Sequence, residues 1–230
     1  MIIYGKNVIK EAVLNKRPIY KLFIDEKSSD NKFNTFLTNN GIEFELTNKG
    51  HLNNLTSNAV HNGVVADVKD YSYLELDTVL DTSKIQKFLM LDEVQDPHNL
   101  GAILRSVEAT GYDGVIMSKK HQVPLTGVVA KTSSGAIEHV KLILVSNLYQ
   151  TILKLQKEQF LVVGTAGEAT SSYKDIPKSQ SLLIIMGNEG YGLRPLIKKG
   201  CDLLVSIPML GQVNSLNVSV ATALLLYETI

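Results

Sequence analysis

Six short strand-like runs, apolar at nearly every position, constrain this sequence more than any other feature. They are Phe88 to Asp92, Gly114 to Met117, Val140 to Val145, Leu161 to Thr165, Leu182 to Met186 and Leu203 to Ile207. A strand with one face in water alternates polar and apolar residues, whereas a strand covered on both faces does not. With helical segments between most of these runs, the pattern predicts an α/β fold built on a mainly parallel sheet clad by helices. The run Leu182 to Met186 leads into Gly187-Asn188-Glu189-Gly190-Tyr191-Gly192. Glycines at this density allow positive φ and leave N–H groups open to close approach by a ligand. Taken alone, the loop fits a small-molecule pocket and a plain tight turn equally well. It does not fit the dinucleotide fingerprint, which reads G-x-G-x-x-G after a first strand, because the spacing here is G-x-x-G-x-G after a late one.

Residues 1–70 alternate helix-like and strand-like segments on a shorter pitch. Val8, Ile9, Ala12 and Val13 form a helical stripe, Ile19 to Ile24 reads as a strand, and Phe33, Phe36 and Leu37 mark a second helix. Further strands are expected near Ile42 to Leu46 and Gly63 to Val68. Together they predict a compact α/β unit with no reactive grouping. Periodicity lapses over residues 71–84, which read as a linker with room for a helical turn, and residues 85–230 form the second unit.

In that second unit, Asp96-Pro97-His98-Asn99 opens a helix with Asn99 as its expected N-cap and Gly111 as its end. A helical wheel places Leu100, Ile103, Leu104 and Val107 on one face and Gly101, Ala102, Arg105 and Ala109 on the other. Small neighbours would let a ligand or a backbone approach the Arg105 guanidinium. The last helix, from Leu216, is apolar around most of its circumference through Val218, Val220, Ala221, Ala223, Leu224, Leu225 and Leu226. Such a helix is buried in a core or against a second subunit, with Leu225 the expected subunit contact.

The 23 Lys and Arg balance 23 Asp and Glu, so any contact with nucleic acid has to be local. The basic clusters Lys16-Arg17, Lys119-Lys120-His121 and Lys198-Lys199 fit solvated faces better than nucleic-acid contacts. Cys201 is the only cysteine, which excludes a disulfide framework and a cysteine-based metal site and fits a reducing compartment. No metal is expected. No stretch approaches the ~18 apolar residues of a membrane span, and the N-terminal MIIYGKNVIK lacks the basic-then-apolar order of an export signal. A cytoplasmic protein without a membrane partner is the expectation.

Three stretches, NLGAILRS (99–106), LIIMGNEGYGL (183–193) and IPMLGQVNSLNVSVA (207–221), resemble the three motifs of the SpoU (TrmH) family. Upstream, Tyr4-Gly5-Lys6-Asn7-Val8 through Glu11-Ala12 and His61-Asn62-Gly63-Val64-Val65-Ala66 resemble the L30e-like substrate-binding domain of its RlmB-type members. The resemblance implies an RNA 2′-O-ribose methyltransferase dependent on S-adenosyl-L-methionine. It implies a homodimer with a knotted, SPOUT-type trefoil catalytic domain (85–230) preceded by the L30e-like domain (1–70), which the tRNA-specific branch lacks. A guanosine in 23S ribosomal RNA is the implied substrate. A thiostrepton-resistance-type adenosine methyltransferase, a tRNA methyltransferase and a non-catalytic RNA-binding or assembly protein are the alternatives.

Carried over by position, Gly187, Asn188, Ile207, Met209 and Leu216 would contact the cofactor, largely through backbone groups. Asn99, Arg105, Glu189, Ser215 and Asn217 would surround the reacting ribose. Within this set, Ser215 is the expected cap of the last helix and Asn217 the pocket residue, and Glu189 is the expected acceptor for Arg105 or Asn99. A guanidinium acting as a literal base needs its pKa lowered from above ~12 to near ~8, roughly 4 units or about 5 kcal/mol. A fixed cation beside the developing alkoxide demands less, and the sequence leaves both roles open.

Overall fold

The computed structural model describes residues 1–28, 30–120 and 123–230, so His121 of the basic cluster lies outside the described residues. The chain divides into two compact units, Met1–Tyr71 with Pro124–His139, and Ser72–Val123 with Val140–Ile230.

The first unit opens with β1 (Ile2–Tyr4), α1 (Lys6–Leu14), β2 (Ile19–Asp25), α2 (Asn31–Asn39), β3 (Glu45–Thr47), α3 (Lys49–Leu55) and β4 (Val64–Val68). Its sheet has the order β1-β4-β2-β3, with β4 antiparallel to both neighbours and β3 parallel to β2. The predicted stripe of α1 is buried as expected through Val8, Ile9, Ala12 and Val13. Asp30 caps α2 by accepting from the Phe33 amide at 3.0 Å, which starts the helix so that Phe33 and Leu37 point inward. The sequence does not reveal β1 or α3: one has three residues, and the other buries only Leu52, so neither shows a period.

The second unit begins with α4 (Leu76–Val79), β5 (Lys87–Leu91), α5 (Pro97–Thr110) and β6 (Gly114–Ser118). The chain then contributes α6 (Gly127–Thr132) to the first unit before returning as β7 (Leu142–Val145), α7 (Leu148–Lys157), β8 (Leu161–Thr165), β9 (Ser171–Ser172), β10 (Leu182–Met186), α8 (Pro195–Lys199), β11 (Leu203–Ser206) and α9 (Val218–Glu228).

The assignment of 124–139 differs from the sequence reading, which places that segment in the second unit and the boundary at residue 70. Its attachment to the first unit is by tight packing and a buried ion pair. A side chain on Gly127 of α6 would begin 2.5 Å from the Ile2 carbonyl oxygen, so α6 lies directly on β1. Arg17 Nη1 meets Glu138 Oε1 at 2.7 Å with only 7% and 2% of the two side chains exposed, and the Tyr71 hydroxyl donates to the same oxygen at 2.8 Å. The guanidinium stacks 3.5 Å from the Tyr71 ring centroid, and burial raises the phenol above its ordinary range. Arg17 is therefore structural, and Tyr71, the first residue of the expected linker, is packed. Neither fact leaves a periodic trace in sequence.

Every pairing in the larger sheet is parallel, in the order β7-β6-β5-β10-β8-β11-β9. Phe88, Met90, Leu183 and Ile185 pack with α4, α7 and α8, and Phe88 stacks on Phe160 at 5.8 Å. Leu89, Leu91, Leu182 and Ile184 alternate to the opposite face, on the side where α5 and α9 pack together and α9 meets β10. This two-sided cover explains the unbroken apolar runs.

Two helices differ in detail from expectation. Asp96, not Asn99, caps α5, with Pro97 in the first turn, and Gly101 is buried with the apolar face. The expected Gly111 terminus is present, at φ 67°. In α9 one face, Val218, Thr222, Leu225 and Leu226, is buried, while Val220 (49%), Leu224 (38%) and Tyr227 (55%) remain exposed as a stripe. Leu225 thus belongs to the core and not to a subunit contact.

Candidate functional site

Because the strands of the large sheet run the same way, their C-terminal ends and the loops that follow gather on one edge. From β5 the chain moves to β6 on one side, and from β10 it moves to β11 on the other, so β5 and β10 flank a switch point. Open parallel sheets leave a crevice there.

The loop after β10 closes on itself: Asn188 N donates to Gly192 O at 3.1 Å and Gly192 N to Asn188 O at 2.9 Å. Of its glycines, only Gly192 takes a positive φ, 71°. Gly187 is needed for a different reason. A Cβ at that position would stand 2.3 Å from the carbonyl carbon of Gly192, so the loop can close only over a bare Cα.

A charged clamp that the sequence reading missed fastens this loop to the one after β5. Asp92 is fully buried and accepts from Arg194 twice, from the amide (3.1 Å) and Nε (2.8 Å), with Nη2 in ion-pair contact at 2.6 Å. Arg194 Nη1 also reaches Glu93 Oε1 at 3.2 Å, and Asn188 Nδ2 donates to the Glu93 carbonyl at 3.0 Å. The Tyr191 hydroxyl donates to the Glu93 carboxylate, which holds the phenol above its ordinary range. With its Oδ1 taken by the Gly190 amide, Asn188 can offer the cleft chiefly its backbone. The available signal was Asp92-Glu93 after an apolar strand and Arg194 after the glycine loop. Removing one partner of a buried pair strands the other. Arg194 is 39% exposed, so water can partly replace it. Arg194→Ala is expected to cost about 2 kcal/mol and lower Tm by roughly 4–8 °C. An unchanged melting curve would contradict the clamp.

A second network joins the three motifs. Asn217 Oδ1 caps α9 by accepting from Ser219 N at 2.9 Å, and Asn217 Nδ2 donates to Asn99 Oδ1 at 2.9 Å. Asn99 Nδ2 in turn donates to Glu189 Oε1 at 2.8 Å. The carboxylate accepts only, which fixes the direction of both amides. Asn217 is therefore both cap and network residue, in place of the expected Ser215. Glu189 binds Asn99 and not Arg105. Arg105 is exposed six residues along α5, roughly 9 Å of helix rise, and has no hydrogen-bond or ion-pair partner among the described residues.

Beside this network lies a cleft of about 480 Å³, within the usual size of small-ligand sites. Gly187, Asn188, Ile207, Met209 and Leu216 all line it, together with Glu189 and Ser215. Asn99, Arg105 and Asn217 do not. Thr165, Ala166, Gly167 and Glu168, the loop after β8, complete the wall. The sequence reading missed them, although a small Ala-Gly pair directly after an apolar strand was a usable signal. Lys198 pairs with Glu168, which leaves Glu189 the uncompensated charge of the lining. Met186, Leu193, Val205 and Leu216 are apolar members of the same lining. The cleft suits an organic ligand carrying positive charge and disfavours a diphosphate. Burial pushes the nearby Cys201 thiol up to about 12, so it is no nucleophile. Among the described residues no group of His, Cys, Asp or Glu could hold a metal ion.

The profile of the SpoU rRNA Methylase family matches residues 86–227, and that described as RNA 2′-O ribose methyltransferase substrate binding matches residues 2–74. A Staphylococcus aureus (strain MSSA476) protein named for the TrmH family of tRNA/rRNA methyltransferases is 42% identical over 234 residues, 99% of this chain and 94% of its own. The SpoU methyltransferase AviRb from Streptomyces viridochromogenes, crystallised with the cofactor AdoMet, superposes with a TM-score of 0.83 at 25% identity, over 100% of this chain and 88% of its own. The TrmH/SpoU tRNA modifying enzyme of A. aeolicus gives 0.57 at 28% identity over 64% of this chain and 74% of its own. The chain belongs to the SpoU (TrmH) family of RNA methylases.

Proposed function

We propose that this protein transfers a methyl group from S-adenosyl-L-methionine to a ribose 2′-oxygen of 23S ribosomal RNA, at a guanosine, as a cytoplasmic homodimer. The observation that carries this reading is the Asn217-Asn99-Glu189 network, in which one residue from each motif is joined in a line ending at the cleft. Glu189 also gives the cleft a charge opposite to that of the cofactor, whose sulfonium and ammonium outnumber its carboxylate. The A. aeolicus tRNA modifying enzyme matches 64% of this chain, so the likeness to that enzyme does not extend over the whole of it, which supports a substrate other than transfer RNA.

The bound cofactor would supply an electrophilic methyl group. The walls from Gly187 to Leu193 and from Ile207 to Leu216 would hold it, Gly187, Asn188, Ile207, Met209 and Leu216 through backbone and apolar contacts, in the knotted path implied by the family. Glu189, fixed by Asn99, and Ser215 would orient the ribose. Toward that methyl group the 2′-hydroxyl would give its proton to phosphate or water, and Arg105 would stabilise the negative charge developing on the 2′-oxygen.

The dimer reading rests on the α9 stripe of Val220, Leu224 and Tyr227. Leu224→Glu is expected to raise the dimer dissociation constant at least ~30-fold, about 2 kcal/mol, with little change in melting. Sedimentation would read this, and a wild type that sediments as a monomer at micromolar concentration would refute it.

Mapping ribose methylation in ribosomal and transfer RNA from cells with and without the gene tests the substrate. Loss of one methylated guanosine in 23S RNA is the expected result. Loss of an adenosine methyl there would instead indicate the thiostrepton-resistance type. A transfer-RNA target would indicate the tRNA branch, and no change in either would indicate a non-catalytic RNA-binding or assembly protein.

A further inference from the structure

The first unit contains a second, smaller cavity of about 220 Å³ whose wall includes Lys6, Lys131, Asn7, Asn62 and Ser134. It is too small for a drug-sized ligand, which takes ~300 Å³ or more, but it has room for an anionic group with a few waters at ~30 Å³ each. Lys131 of α6 provides its cation. The ammonium occupies the space above Gly5 where any side chain at that position would begin, so the bare glycine, at φ 95°, is what admits it.

Lys131 has no ion pair among the described residues, and the acids nearby are engaged elsewhere. Asp30 holds Lys6 at 2.7 Å, Glu11 meets His139 at 2.9 Å, and Glu138 holds Arg17. Burial pushes the Lys131 ammonium below its ordinary value, consistent with a cation that lacks a counter-charge. Around it, the side chains of Asn7, Asn62 and Ser134 line the cavity without a hydrogen-bond partner among the described residues. The first turn of α1 has no side-chain cap, so its amides face the same space unspent. Donors and a cation without a counter-charge around a small cavity suit a small oxyanion, and on an RNA substrate that group is a phosphate.

We propose that this cavity binds a backbone phosphate of the substrate RNA with Lys131 as its counter-ion. Residues 124–139, outside the stretch matched by the substrate-binding profile, thereby become part of the RNA-binding unit. The proposal rests on the RNA methyltransferase reading. It also answers the charge problem, because a chain with 23 cationic and 23 anionic residues must grip RNA locally.

The test uses the full chain and 23S ribosomal RNA transcribed in vitro, with binding measured between about 50 and 200 mM salt. Losing one phosphate contact on single-stranded RNA lowers the slope of log affinity against log salt by roughly 0.7. Lys131→Gln is expected to show that drop, with RNA affinity about 5–10-fold weaker near 100 mM salt and S-adenosyl-L-methionine affinity unchanged. Lys131→Arg should retain the wild-type slope. Asn62→Ala, which keeps the charge, should weaken binding about 3-fold at unchanged slope and serves if Lys131→Gln fails to fold. Titration with inorganic phosphate alone distinguishes the other source of the same chemistry. Sub-millimolar phosphate binding abolished by Lys131→Gln, with RNA affinity intact, would make this a free-phosphate site and overturn the proposal. Wild-type affinity and slope in both Lys131→Gln and Asn62→Ala would overturn it too. A wild type that does not bind the transcript at all would overturn the methyltransferase reading first.

Discussion

Replacing Arg105 with alanine is expected to slow methyl transfer at least ~100-fold in single turnover, the usual scale for removing a preorganised charge that acts in the transition state. The affinity for S-adenosyl-L-methionine should stay within a factor of two or so, because Arg105 does not line the cleft. Stability should also hold. The side chain is exposed on α5 and has no partner among the described residues, so its loss leaves no buried group stranded. A large rate effect without a binding or stability effect separates a chemical role from a structural one. Rapid-quench measurement with saturating cofactor reads it directly, and a rate within fivefold of wild type would exclude Arg105 from the chemistry.

Gly187→Val is expected to abolish measurable cofactor binding through the loop and not through the ligand. The added Cβ would meet the Gly192 carbonyl carbon at 2.3 Å and the Leu193 amide nitrogen at 2.5 Å. No rotamer relieves a collision between a Cβ and backbone, so the loop has to open at a cost of about 3 kcal/mol, the upper end for overpacking. That corresponds to more than ~100-fold in affinity. Gly190→Ala is the control: its added Cβ would meet only the Asn188 Oδ1, at 3.4 Å, and binding should change little. Calorimetry on the two variants decides between this packing role and the simpler notion that any side chain in a glycine loop blocks the ligand, which predicts equal losses.

The contrast between those two glycines illustrates what the sequence could and could not convey. Strands covered on both faces announce themselves by composition, so β5, β6, β7, β8, β10 and β11 are legible. Their spatial order is not, because parallel crossovers of similar length allow β10 to lie beside β5 or elsewhere. The two-residue β9 and the three-residue β1 are too short to carry a period. Residue type alone does not locate a helix cap. Asp96 and Asn217 hold the positions assigned to Asn99 and Ser215 because the helices begin a few residues from the expected points. The residues of the three motifs were legible through family resemblance. Their wiring was not: Asn217 to Asn99 spans 118 residues, and Arg194 to Asp92 spans 102. The α9 circumference likewise misled at Leu225, since hydrophobicity alone cannot tell which face meets the core.

The most direct measurement of the central claim is transfer of labelled methyl from S-adenosyl-L-methionine to ribosomal RNA taken from cells lacking the gene, followed by alkaline hydrolysis. Alkali cleaves RNA through its 2′-hydroxyl, so a methylated 2′-oxygen protects the bond to the next nucleotide. Label recovered in an alkali-resistant dinucleotide, with wild-type protein and not with Arg105→Ala, is the predicted result. Label recovered only in mononucleotides would place the methyl on a base and contradict ribose methylation, and no label in RNA despite cofactor binding would contradict catalysis on this substrate.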